Sequence, residues 1–269
     1  MPKSQQPEEQ PSAQSALKHK DTQAFTLITG ASSAIGGAIA VRLSRSRRLI
    51  LSGRDEARLD AVRMACSSPD SHATWRRDLG DVETLQNSLE EFLRAHGFRV
   101  AGFIHCAGIT SISAVRAISY LMLKGILDIN FSSAALITST LVKKQVNFDI
   151  LDHVIFVSAL LSRMGAKGQS LYGASKAALD GLMRGFAVEL APRVRVNSIL
   201  PGAVPSRMTA GMFSSSQISS LLQRNYPLGV GTPEAIAGVA EFLLSSDADW
   251  ITGQEIVVDG GRIINHPFE

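Results

Sequence analysis

The chain has 269 residues, 45% of them hydrophobic and 19% charged, with a mean hydropathy of +0.11; this suits one large folded domain or two small ones and excludes global disorder. Its net charge of +3 and pI of about 9.0 suit an anionic ligand or partner and fall far short of a nucleic-acid binder, so no nucleic-acid partner is expected. Two cysteines, Cys66 and Cys106, make no disulfide framework, and six scattered histidines show no metal-ligand spacing, which points to a reducing, cytoplasmic compartment and no metal.

Residues 1–23 hold three of the ten prolines, five glutamines and no aromatic residue, and read as a disordered tail without the apolar stretch of a secretory signal. From residue 24 to 269 the chain reads as a single domain. Phe25–Thr29 predicts a strand, followed by a helix from near Ile35. Arg48–Ser52 is a second strand, Glu56–Ala65 a helix and Thr74–Arg77 a short third strand. Asp81–Ala95 predicts a helix with Leu85, Leu89, Phe92 and Leu93 on one face. Val100–His105 is a fourth strand, and a long helical region spans about Ser119–Lys144. His153–Val157, a helix over Tyr172–Leu190, Arg195–Leu200, a helix from Pro233 and Glu255–Val258 complete the series. Such alternation means a parallel α/β sheet covered by helices on both faces. The serine-rich segment Pro205–Tyr226 follows a strand end and is the candidate for a mobile lid. The longest apolar run, Val154 to Leu161, contains Ser158 and falls short of the ~18 residues of a membrane helix, so no membrane partner is expected.

Two motifs carry chemistry. Thr29-Gly30-Ala31-Ser32-Ser33-Ala34-Ile35-Gly36 joins the first strand to the first helix. A tight turn there presents backbone N–H groups and a helix N-terminus to a pyrophosphate. Gly30 permits the turn, and Gly36 permits close helix–sheet packing. In Tyr172-Gly-Ala-Ser-Lys176 the tyrosine and lysine sit at i and i+4 on one helix face. An ammonium beside a phenol lowers the tyrosine pKa, so the phenol can give a proton to a carbonyl oxygen and take it back.

Together with Asp78-Leu79, His105-Cys106-Ala107-Gly108, Asn130, Asn197-Ser-Ile-Leu-Pro201-Gly202 and Ile251-Thr-Gly-Gln…Val258-Asp-Gly-Gly261, these residues resemble the short-chain dehydrogenase/reductase family. The resemblance runs from about Phe25 to Gly261. Pro227-Leu-Gly…Gly231-Thr-Pro-Glu234 and the C-terminal segment look most like the 3-oxoacyl-(acyl-carrier-protein) reductase branch. The family resemblance implies a Rossmann-type doubly wound sheet of about seven strands. It also implies roles: Tyr172 as general acid/base, Lys176 as its pKa-lowering partner and nicotinamide-ribose contact, and Asn130 as holder of a relay water. A serine after the fifth strand would orient the substrate carbonyl. Cofactor contacts carried over are Gly30, Ser32, Ser33, Ile35, Gly36, Asp78, Leu79, Cys106, Ala107, Gly108, Pro201, Gly202, Val204 and Ser206, besides Tyr172 and Lys176.

Three departures stand out. Ala34 occupies a position where glycine is usual. Cys106 replaces an asparagine. The substrate-orienting serine, thirteen residues before the tyrosine, is Ala159, while Ser158 lies fourteen before. Either the loop carries one extra residue and Ser158 serves as the catalytic hydroxyl, or the hydroxyl is absent. Strand alternation aims Ser158 away from the substrate unless a bulge intervenes.

Cofactor choice is read at Leu51-Ser-Gly-Arg54. No acid stands at Ser52 or Gly53 to accept a ribose 2′-OH, and Arg54 can pair with a 2′-phosphate, which favours NADP. Asp55 would start the next helix as a cap. The expected function is NADPH-dependent reduction of a small-molecule or acyl-carrier-bound carbonyl, a 3-oxoacyl thioester of fatty acid biosynthesis by the branch it resembles. The alternatives are a reductase or dehydrogenase of a small ketone, steroid or sugar, and a weakly active cofactor-binding partner subunit. The resemblance also implies a homo-oligomer, a tetramer built through the long helices and the C-terminal segment.

Overall fold

The computed structural model of the protein describes residues 24–213 and 216–265; the tail expected over 1–23 lies outside the described residues. Seven strands, β1 (Phe25–Thr29), β2 (Arg48–Gly53), β3 (Ala73–Arg76), β4 (Val100–His105), β5 (His153–Val157), β6 (Arg195–Pro201) and β7 (Glu255–Val258), form one sheet in the order β3-β2-β1-β4-β5-β6-β7. Every neighbouring pair is parallel. The helices are α1 (Ala34–Leu43), α2 (Glu56–Ala65), α3 (Leu85–His96), α4 (Tyr120–Leu127), α5 (Ser133–Leu141), α6 (Lys144–Asn147), α7 (Ser170–Glu189), α8 (Ala210–Phe213), α9 (Ser216–Asn225) and α10 (Pro233–Leu243).

The strands are apolar on both sides because both sides are covered. Leu27, Ile50, Phe103, Val154 and Phe156 join Leu89 of α3, Ile137 of α5 and Leu179 and Met183 of α7 in one cluster. Their neighbours Ile28, Leu49, Leu51, Ile104, Ile155 and Val157 join Ile39 of α1, Leu59 of α2 and Ile236 and Ala240 of α10 in the other. Chain order reverses between β1 and β4, so their carboxyl ends open a crevice at the switch point, where such sheets bind ligands.

Two predicted helices differ in detail. The helix expected from Asp81 begins at Leu85, because Thr84 Oγ1 donates to the Asp81 carboxylate at 2.5 Å and Arg77 binds both that carboxylate and the Asp81 carbonyl. Side chains that bond locally in this way compete with helical hydrogen bonding. The long region expected over Ser119–Lys144 is three helices. Ser119 caps α4, and Asp128–Ser132 opens into a π-helical turn that carries Asn130 before α5 resumes. Among the described residues, the stretch Tyr120–Leu141 is long and apolar enough, by length and composition alone, to cross a membrane. It is not an unbroken apolar run, because Lys124, Asp128 and several hydroxyl residues interrupt it. In the fold it buries Ile126, Ala134, Ile137 and Leu141.

Candidate active site

The glycine turn lies at the switch point. Gly30 has φ 65°, and a Cβ there would sit 2.7 Å from the Ala107 backbone, so β1 can approach the end of β4 only with glycine. A Cβ on Gly36 would fall 2.2 Å from the Gly30 carbonyl oxygen. Gly36 is therefore buried beneath the turn, while Gly30, Ser32, Ser33, Ala34 and Ile35 line the cleft above it. The Ser33 hydroxyl accepts the Gly36 N–H at 3.0 Å and caps α1. The cleft, about 1370 Å³, runs along the carboxyl ends of the strands.

At one end Arg54 is exposed after β2, and Asp55 caps α2 through the Arg58 N–H, as the sequence reading expects of it. Three further arginines gather there that the sequence reading did not single out. Arg58 donates to the Ser32 carbonyl. Arg76 donates to the Arg54 carbonyl at 3.2 Å, and Arg77 lines the cleft with Arg54. The pairing of β2 with β3 sets Gly53 beside Arg76, so the two strand ends deliver their arginines together. Asp78 accepts the Gly80 N–H at 3.0 Å in a turn, with Leu79 buried beside it.

In the middle, α7 brings Tyr172 and Lys176 to the cleft. Lys176 is 3% exposed, and its ammonium donates to the Val157 carbonyl at 2.9 Å, 5.9 Å from the Tyr172 ring centre. Burial pushes the Lys176 pKa down to about 8. Burial also pushes the Tyr172 phenol up, to about 12, with a smaller electrostatic contribution in the same direction from Cys106. The lowered tyrosine pKa expected from the sequence is thus not found: burial raises the phenol, and the Lys176 ammonium gives its hydrogen bond to the Val157 carbonyl. Cys106 itself is raised to about 11 by burial.

Asn130 is fully buried beneath the cleft. Its Oδ1 accepts the Ile109 N–H at 2.8 Å, and its Nδ2 donates to the Ile109 carbonyl and the Ser175 hydroxyl, both at 2.9 Å. It therefore fixes the loop after β4 to α7. Gly108 leaves the room this needs, since a Cβ there would lie 3.3 Å from Lys176 Nζ and 3.4 Å from Asn130 Oδ1.

No bulge follows β5. The Ser158 N–H continues the ladder to the Ile199 carbonyl at 2.8 Å, so the pleat turns the Ser158 side chain toward α7. Its hydroxyl donates to Asp180 Oδ2 at 3.0 Å. Ala159 stands next along the cleft without a hydroxyl.

The rest of the expected set closes the cleft. Cys106, Ala107 and Gly108 form one wall, and Pro201, Gly202, Val204 and Ser206 the opposite one. Ser206 and Thr209 bond each other at 3.0 Å, and Thr209 donates to the Val204 carbonyl at 2.8 Å. Tyr226, unnoticed in the sequence, backs Gly202, where a Cβ would meet its ring at 2.8 Å; its hydroxyl accepts the Ala203 N–H at 2.9 Å. Within Pro205–Tyr226, the described parts of the expected lid include the helices α8 and α9. The cradle at Gly30 and Gly108 and the arginines at its end fit a dinucleotide.

Comparison with known proteins agrees with this geometry. A family model described as enoyl-(acyl carrier protein) reductase matches residues 30–262. The (3R)-3-hydroxyacyl-CoA dehydrogenase of Mus musculus is 31% identical over 252 residues, covering 88% of this chain and 95% of that protein. The 3-oxoacyl-(acyl-carrier-protein) reductase FabG of Rickettsia conorii is 31% identical over 242 residues, 89% of this chain and 96% of that one. A solved structure of 4-hydroxyisoleucine dehydrogenase complexed with NADH superposes with a TM-score of 0.83 at 28% identity, covering 90% of this chain and all of that one. With a seven-stranded parallel sheet, the glycine turn and a matching family model over most of its length, the chain belongs to the short-chain dehydrogenase/reductase family and is an oxidoreductase of that family.

Proposed function

We propose that the protein is an NADPH-dependent carbonyl reductase that converts 3-oxoacyl thioesters to 3-hydroxyacyl thioesters. The observation that carries this reading is the buried Tyr172–Lys176 pair on the cleft: at neutral pH a phenol near 12 keeps its proton, and an ammonium near 8 keeps its charge. NADPH, when bound, supplies the hydride. The glycine turn would hold its pyrophosphate, and Arg54 with Arg58 and Arg77 its 2′-phosphate. Tyr172 donates its proton to the carbonyl oxygen, and the Lys176 ammonium stabilises the tyrosinate left behind. Asn130 keeps Ile109 and Ser175 in place around that proton transfer. Leu161, Met164 and Met208 along the cleft suit an acyl chain, and the two named relatives act on acyl thioesters by their names. The two free cysteines suit a reducing, cytoplasmic compartment.

The test is nicotinamide absorbance with purified full-length protein, offering acetoacetyl-CoA against free ketones, steroids and sugars, each with NADPH and NADH. Faster turnover of the thioester with NADPH is expected. Preference for a free ketone or sugar overturns the substrate class, and equal affinity for NADH overturns the cofactor. A second reading, a weakly active cofactor-binding subunit, draws on Ala159 and the turned-away Ser158. Single-turnover NADPH oxidation by this chain alone separates it from the first.

A further inference from the structure

With Ser158 bonded to Asp180 and Ala159 bearing only a methyl group, the substrate carbonyl lacks a serine partner beside Tyr172. Gln169 offers another. It is the N-cap residue just before α7, half-buried, and it lines the same cleft as Tyr172, three residues further on. Its carbonyl accepts the Gly173 N–H at 2.8 Å, which fixes its backbone in the first turn. Its side chain is fixed too: Thr110 Oγ1 donates to Gln169 Oε1 at 2.8 Å. Thr110 follows Ile109, whose N–H and carbonyl are both held by the buried Asn130. A chain of contacts therefore runs from Asn130 through Ile109 and Thr110 to the Gln169 amide.

With the oxygen of the amide occupied, the NH₂ group is left as the free donor, and among the described residues it has no hydrogen-bond partner. The Thr110 and Ser158 hydroxyls have both committed their protons, to Gln169 and Asp180. Resting on the carbonyl-reductase reading above, we infer that Gln169 is a catalytic residue whose Nε2 donates a hydrogen bond to the substrate carbonyl oxygen beside the Tyr172 hydroxyl. A planar amide donor held in advance is one of the groups that stabilise a developing oxyanion. It moves no proton, so Tyr172 remains the acid.

The experiment measures acetoacetyl-CoA reduction, NADPH binding by titration and thermal melting for the full chain and three variants. Gln169→Leu removes the donor. Gln169→Glu keeps the shape and the acceptor for Thr110 but replaces the NH₂. Both should lower kcat by roughly 10²-fold, the effect of losing one oxyanion donor, with NADPH affinity and melting temperature unchanged. Adding Ala159→Ser to Gln169→Leu should recover most of the lost kcat, because a hydroxyl then faces the same oxygen. Two results overturn the inference while leaving the reductase reading intact: wild-type kcat in Gln169→Leu, or a lost kcat that Ala159→Ser does not recover. A wild-type chain that reduces no carbonyl substrate in the panel overturns the reductase reading, and this inference with it.

Discussion

Tyr172 and Lys176 owe their state to one cause, burial, acting on opposite charge types. Desolvation penalises the tyrosinate and the ammonium alike, so the phenol holds its proton harder and the lysine holds its own less firmly. In proton transfer to a carbonyl the useful form is the phenol beside a charged lysine. Reduction should therefore slow as pH rises through about 8, where Lys176 loses its charge. A kcat–pH profile checks this, and Lys176→Met should give a low rate without that inflection. The same shift has a sign for stability. Between about 8 and the ordinary 10.5 the unfolded chain binds a proton that the folded chain has shed, so the penalty this buried group sets on folding is relieved as pH rises through that window. The arginines at the other end of the cleft invite a separate measurement. Arg54→Asp should weaken NADPH binding by about tenfold or more and spare NADH, since a charge-assisted hydrogen bond contributes about 1.5–3 kcal/mol. Arg77→Ala has a second consequence, because Arg77 also holds Asp81 at 2.6 Å. Its variant should lose some affinity for both cofactors as the Asp78 turn loosens. Titration with each nucleotide distinguishes the two arginines.

β4 is held at both ends by buried asparagines. Asn147 exchanges two 2.8 Å hydrogen bonds with Val100 at the start of the strand, and Asn130 does the same for Ile109 beyond its end. Only the second clamp touches the cleft. Removing either side chain strands buried backbone groups, at about 1–3 kcal/mol for each one left unpaired. Asn147→Ala should lower the denaturation midpoint and leave kcat nearly unchanged, whereas Asn130→Ala should lower both; chemical denaturation beside steady-state kinetics tells them apart. These clamps mark what could not be read from the sequence. The strands were legible because residues such as Leu27 and Ile28 are apolar in succession, which only a sheet covered on both faces accommodates. The glycine turn and the Tyr172–Lys176 spacing were legible because each is local. The π-turn at Asp128–Ser132 was not, since it depends on Asn130 reaching a loop 21 residues away. The grouping of Arg54 with Arg76 and Arg77 depends on β2 lying beside β3, a fact of strand order that no local pattern states. The orientation of Ser158 sits between these cases. Alternation turned it from the cleft, and only the unbroken ladder to Ile199 excluded a bulge.

The folded chain leaves large apolar side chains in water at places unrelated to the cleft floor. Trp250 is fully exposed, and Leu228, Val188 and Leu121 are each more than three-quarters exposed. Single exposed apolar residues are ordinary, but a wholly exposed tryptophan just before the C-terminal strand suits contact with another copy. Tyr120 and Leu121 on α4 suit a second contact in the same way, on the outward side of the stretch whose composition alone would also pass for a membrane helix. Two distinct self-contacts on one chain close naturally into a tetramer with dihedral symmetry. We therefore expect sedimentation at micromolar concentration to give four times the 28.8 kDa chain. Burying one tryptophan removes about 150–250 Å² from water, about 4–6 kcal/mol at 25 cal/mol/Å² before the costs of association are met. Trp250→Glu should accordingly split the tetramer into dimers held through α4, and Leu121→Glu should split it into dimers of the other kind. Each chain should stay folded by circular dichroism, since neither side chain is part of the core. A wild-type chain that sediments as a 28.8 kDa monomer, or a tetramer indifferent to both substitutions, would show that these residues face solvent in the working protein.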